Sequence, residues 1–113
     1  MVDISCSEVM TTDLSGLGRF ADSALLVLAS LADGPKHGYA VMRDVRAKAN
    51  VRMGPGTLYG TLSRLEGKGW IRPLPAPERR HPYEITGSGL KVLRVECTQL
   101  QAFAESVLVG RPA

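Results

Sequence analysis

Apolar residues recur at helical spacing from about residue 22 to 67 of this chain and again after residue 87, with two short strand-like runs between. From Asp22 to Ala32, Leu25, Leu28, Ala29 and Ala32 make one face, and Leu26, Val27 and Leu31 add a second. A helix apolar on two sides is buried between partners. Asp22 or Ser23 can cap its amino end, and Asp33-Gly34-Pro35 stops it. A second helix is predicted within Gly34 to Asn50, with Tyr39, Val41, Met42 and Val45 on the apolar side and Arg43, Asp44, Arg46 and Lys48 on the polar one. Asn50 is its expected stop. A third helix follows after only about four residues. Pro55 suits its first turn, where the missing N–H would have had no partner. Leu58, Leu62 and Leu65 form its core stripe, and Gly67 and Gly69 end it. Away from the leucines stand Thr57, Tyr59, Gly60, Thr61, Ser63 and Arg64, a small, hydroxyl-bearing and basic face.

Beyond Gly69 the period shifts. Trp70-Ile71-Arg72-Pro73-Leu74 and Tyr83-Glu84-Ile85 read as strands, joined by P-A-P-E-R-R-H-P, whose prolines disfavour helix. Thr86 then caps a long helix from about Gly87 to Leu108. Along it Leu90, Leu93, Cys97, Leu100, Ala104 and Val107 alternate at spacings of three and four, the seam of a coiled coil. Such a helix is ~30 Å long, more than a domain this size needs for its own core. Self-association through it is therefore expected. Residues 1–20 show no sustained period and read as a loosely ordered N-terminal arm.

The predicted fold is mostly α with a small β-hairpin wing: an arm (1–20), a winged helix-turn-helix domain (21–86) and a C-terminal dimerisation helix (87–109). At 113 residues the chain suits one compact domain with one appended helix. The net charge of +3 is mild but uneven, with residues 1–21 at net −2 and residues 51–82 at net +4. A basic middle fits a phosphate-binding surface. The low aromatic content, 5%, argues against a stacking platform for single strands.

Other chemistries find little support. Cys6 and Cys97 lack metal-ligand spacing and read as reduced thiols, Cys97 as a small hydrophobe on the seam. With two histidines and no triad or paired carboxylates, an enzyme is not expected, nor a cofactor or metal. G-P-G-T-L-Y-G has neither the preceding strand nor the Gly-Lys-Ser/Thr ending of a nucleotide loop. No stretch reaches ~20 apolar residues and no secretory leader is visible, so a cytoplasmic location is expected. His37 reads as a cap or packing residue and His81 as structural or phosphate-facing. Trp70 either closes the core beneath the wing or lines a ligand pocket.

Four segments resemble the PadR family of bacterial transcriptional regulators: G-P-K-H-G-Y (Gly34 to Tyr39), G-P-G-T-L-Y (Gly54 to Tyr59), L-S-R-L-E-G-K-G-W-I (Leu62 to Ile71) and Y-E-I-T-G-S-G (Tyr83 to Gly89). The resemblance covers about residues 22–108. It implies a homodimer that binds double-stranded DNA, usually as a repressor, with the last helix building the dimer. Gly60 stands where the family commonly has proline.

A helix in the major groove reaches base edges from its amino-terminal side chains. Thr57 and Ser63 are candidates for bases or phosphates, and Arg64 for a phosphate or a guanine edge. Tyr59 has two readings, a phosphate contact or a half-buried ring packed on the first helix. Arg79 and Arg80 at the wing tip would enter the minor groove or follow the backbone. Lys36, His37, Gly54, Pro55, Gly60 and Tyr83 join the DNA-contacting set through the motifs they occupy. Leu25 and Leu28 join the seam residues in the dimerisation set. A small effector, unidentified, is a further expected partner. The competing reading is a winged helix used for protein–protein contact without DNA, which the basic wing and hydroxyl face disfavour.

Overall fold

The structure, a computed structural model, describes residues 22–77 and 81–109. The elements run α1 (Ser23–Leu31), α2 (Gly38–Ala49), α3 (Pro55–Gly67), β1 (Ile71–Pro73), β2 (Tyr83–Ile85) and α4 (Gly87–Leu108). The predicted N-terminal arm and the wing-tip arginines Arg79 and Arg80 lie outside the described residues.

The two-sided apolar pattern of α1 places it at the centre. It packs against α2, α3, α4 and β2, and Val27, Leu28 and Leu31 are buried. Asp22 caps it, its carboxylate accepting from the Ala24 N–H at 3.2 Å. The rest of the core comes from Val41 and Val45 of α2, Met53, Leu58, Leu62 and Leu65 of α3 and its approach, Ile71 of β1 and Leu93 of α4. Asn50 ends α2 in the left-handed conformation (φ 56°), a backbone that asparagine tolerates better than most residues. Residues 50–54 then turn the chain into α3. Of the two glycines expected to end α3, only Gly69 takes a positive φ, 77°; Gly67 is still helical.

Hairpin register pairs Ile71 with Ile85, Arg72 with Glu84 and Pro73 with Tyr83. Arg72 Nε donates to Glu84 Oε2 at 2.6 Å across the strands. The hairpin has a third participant that the periodicity did not disclose. Lys36 N–H donates to the Tyr83 carbonyl at 3.1 Å, and Tyr83 N–H returns a bond to the Lys36 carbonyl at 2.9 Å. The segment read as a lead-in to the second helix is thus a one-residue strand, and α2 begins only at Gly38. Because it pairs with β2, the wing is tied to the entrance of α2.

Thr86 joins the hairpin to α4. Its hydroxyl donates to the Gly69 carbonyl at 2.7 Å and accepts from the Gly89 N–H at 3.1 Å, while its N–H donates to the Trp70 carbonyl at 3.0 Å. Leu90 and Leu93 then pack on the core, after which α4 leaves it: residues 101–109 are exposed.

Candidate nucleic-acid interface

Burying the stripe of α3 decides what its other side presents. Leu58, Leu62 and Leu65 face the core, leaving Gly56, Thr57, Tyr59, Gly60, Ser63, Arg64 and Gly67 exposed. Thr61, read from the sequence as part of the outer face, is instead 1% exposed. One turn from Leu58 and Leu65, it faces α1, where its Oγ1 lies 2.9 Å from Ser23 Oγ. Arg64 Nη2 donates to the same oxygen at 3.3 Å, which steadies the exposed guanidinium and leaves its other N–H groups available.

Tyr59 is about half exposed, and its ring stands against the entrance of α2. A Cβ at Gly38 would come within 2.8 Å of its hydroxyl and 3.1 Å of Leu58 Cδ2, so any larger residue there would push the Tyr59 ring aside. Tyr83 lies alongside. Burial, helped by the Glu66 carboxylate and by Tyr59, pushes its phenol above the usual range, so it stays a neutral donor at ordinary pH. At the start of α3, Gly54 supplies no side-chain cap and Pro55 no N–H. The N–H groups of Gly56 and Thr57 are therefore first-turn donors without a side-chain cap, at an end where the helix dipole favours anions.

The amino side of α2 is less open than its motif suggested. Lys36 is half-buried: its ammonium donates to the Ser30 carbonyl and lies 3.9 Å from Asp44 Oδ2. That cation is occupied within the fold. His37 occupies the N-cap position, exposed, but its side chain makes no capping bond. His81 is exposed in the wing loop.

Three arginines outside the predicted set gather nearby. Arg43, Arg46 and Arg52 line a groove of about 370 Å³ with Met42, Ala47 and Met53, between α2 and the turn into α3. The sequence placed Arg43 and Arg46 on the polar side of a helix and Arg52 in the basic middle. Their spacing of three, followed by a basic residue next to the α3 start, was the only available hint.

The predicted association residues divide into two groups. Leu28 and Leu93 are 2% and 7% exposed, committed to the chain's own core, while Leu25, Leu90 and Leu100 are half-buried. Cys97, Ala104 and Val107 are exposed, since α4 has left the core by then. A cavity of about 280 Å³ opens between α1 and α4, lined by Asp22, Ala24, Leu25, Leu28, Trp70, Val92, Glu96 and Leu100. Trp70 packs on the core and lines this cavity. Among the described residues no group of three histidine, cysteine, aspartate or glutamate side chains could hold a metal, and no helix is long and apolar enough to cross a membrane.

Three helices folded on a common core, a two-stranded antiparallel hairpin after the third, and an exposed glycine–hydroxyl face on that helix define a winged helix-turn-helix. Residues 27–95 match the Transcriptional regulator PadR-like family, and the chain belongs to that family. That family is one of DNA-binding transcriptional regulators.

Among solved structures, it is similar to a PadR family transcriptional regulator from Eggerthella lenta, with 26% identity, TM-score 0.71, and 93% of this chain and 94% of that one covered. It is also similar to a transcriptional regulator from Clostridium thermocellum, with 26% identity, TM-score 0.70, and coverage of 82% and 92%. A 37.1 kDa protein in transposon TN4556 of Streptomyces fradiae is 45% identical over 78 residues, 69% of this chain. The match spans only 23% of that relative's length.

Proposed function

We propose that the chain works as a homodimeric repressor, each protomer placing α3 in the major groove of one half-site of a pseudo-palindromic operator. The observation that carries this reading is the face formed by Gly56, Gly60, Ser63 and Gly67. Nothing lies within 4 Å of a Cβ built at any of the three glycines, so no contact within the fold requires them. Glycine inside a helix costs about 0.8–1.0 kcal/mol relative to alanine. A bare face of this kind lets a helix backbone approach another surface closely. Beside it, Thr57, Tyr59, Ser63 and Arg64 offer donors suited to phosphates and base edges. The wing, with Arg79, Arg80 and Tyr83, would hold flanking backbone. His37, Gly54 and Pro55 would meet phosphate where α2 and α3 begin, while Lys36, whose backbone pairs with Tyr83, would hold the wing against that surface.

Dimerisation would use the second half of α4. Phe103, Val107 and Leu108 are all large, apolar and exposed along it. Leu100, Ala104 and Val107 continue the seam begun at Leu90 and Leu93, with Leu25 at its edge. Two half-sites would then lie about one DNA turn apart. A small effector would act by favouring a different angle between the protomers, and the cavity between α1 and α4 is the place from which such a change would be levered.

Selection of bound sequences from a random duplex pool, followed by sedimentation of the complex, tests this reading. Enrichment of an inverted repeat bound by two protomers supports it. A lack of enrichment, or binding as a monomer to a single half-site, overturns it.

A further inference from the structure

We propose that the groove rimmed by Arg43, Arg46 and Arg52 is a second phosphate-gripping surface for duplex DNA, additional to the α3 face and the wing. The proposal rests on the DNA-binding reading and adds residues that neither the motifs nor the helical periodicity assigned.

Charge is the first ground. None of the three arginines forms an ion pair among the described residues, whose ion pairs involve Lys36, Lys48 and Arg72. The carboxylate on the same helix, Asp44, is engaged by Lys36 and Lys48. The groove itself is lined by no acidic residue. Cations gathered in one concavity without a counter-charge raise the local potential, and a polyanion relieves their mutual repulsion.

Position is the second ground. Arg52 stands two residues before Gly54, beside the uncapped first turn of α3. Arg43 lies 5.8 Å from the centre of the exposed Tyr39 ring, next to Gly38, over which Tyr59 leans. The groove thus draws one arginine from the residues leading into α3 and two from α2, whose amino end Tyr59 meets. Stacking on Tyr39 orients the Arg43 guanidinium and leaves its N–H edge for a phosphate. Met42 and Met53 form an apolar floor, against which deoxyribose carbons could rest while the arginine rim holds phosphate oxygens.

Charge also has to come from somewhere other than the first motif, because the Lys36 ammonium is turned inward. The exposed guanidinium groups of Arg43, Arg46 and Arg52 can supply it beside that of Arg64.

Fluorescence anisotropy with a 30-base-pair duplex of random sequence, titrated over a range of salt concentrations, tests the proposal. The variants are Arg43→Gln/Arg46→Gln/Arg52→Gln and, as a control on the far helix, Lys91→Gln/Arg94→Gln. Each lost phosphate contact lowers the slope of log affinity against log salt by about 0.9, so the triple variant should lose roughly 2 to 3 per protomer. The control should keep the wild-type slope. Arg52→Gln alone, which touches only the turn, should lose about 1 and covers the case in which the triple variant melts early. A wild-type slope in a folded triple variant overturns the proposal while leaving DNA binding by α3 intact. Absence of salt-sensitive binding by the wild-type protein overturns both. If the slope holds but the variant loses binding to a polyglutamate peptide, the groove serves an acidic polypeptide and the proposal falls.

Discussion

Two glycines in helices separate the demands of the fold from those of the partner. At Gly89 a Cβ would overlap the Trp70 carbonyl oxygen and crowd Ile85 Cγ1, so α4 can start against β1 only with glycine there. Gly89→Ala should destabilise the protein by about 1–3 kcal/mol, read as a lowered midpoint in urea. Gly60 is the opposite case, with open space around it. Gly60→Ala should stabilise the fold by up to about 1 kcal/mol and weaken binding to the selected operator. Higher stability with unchanged affinity would show that DNA does not approach the helix at that point. In the sequence Gly60 stood on the outer face of its helix and departed from a motif, with nothing to show whether the fold needed it. Space around it, and the crowding at Gly89, come from residues distant in the chain and leave no trace in local spacing.

Helices α1 and α2 are joined near one end by a small charge cluster. Asp44 Oδ2 lies 3.3 Å from Lys48 Nζ, and Lys48 also pairs with Asp33 at the end of α1. Burial opposes the charge on Asp44, but Ser30, Lys48 and Lys36 outweigh it and hold the carboxyl below its ordinary range. A carboxyl depressed in the folded state stabilises above its unfolded pKa of about 3.9 and loses that contribution as pH falls through the folded value. Thermal melts at pH 3 to 7 should therefore show wild type dropping toward Asp44→Asn below about pH 4, with the two well separated at pH 7. Parallel curves across the whole range would remove Asp44 from the account. The strand ends show the same dependence on distant residues. Tyr83-Glu84-Ile85 was legible as a strand because its residue types suit one, whereas Lys36 became its neighbour only when α1 and α2 folded over the hairpin.

At the scale of the molecule, the exposed half of α4 needs explanation. Leu28 and Leu93 belonged to the predicted association set, yet the chain's own core consumes them, so charging either would unfold the protomer instead of dissociating a dimer. Ala104 and Val107 are exposed and suit the purpose better. Ala104→Glu/Val107→Glu should give monomers by sedimentation velocity while keeping wild-type helical circular dichroism. An intact dimer would move the interface elsewhere. Duplex affinity of that variant should fall, because two half-sites held by one rigid dimer bind far more tightly than either alone.

The sequence by itself determined the helices, the Thr86 cap and the strands, because each rests on residues close to one another in the chain. It also determined the family, through four short segments in order, while the choice of Asp22 over Ser23 as the first cap came from the structure. Apolar periodicity selects which side of α3 is buried, and the opposite side follows. Tertiary structure alone decided the rest. It took Thr61 from the outer face, turned Lys36 inward, set Tyr59 against Gly38 and brought Arg52 beside Arg43 and Arg46. Each of these depends on contacts made by another element, whose direction is set by how whole helices cross.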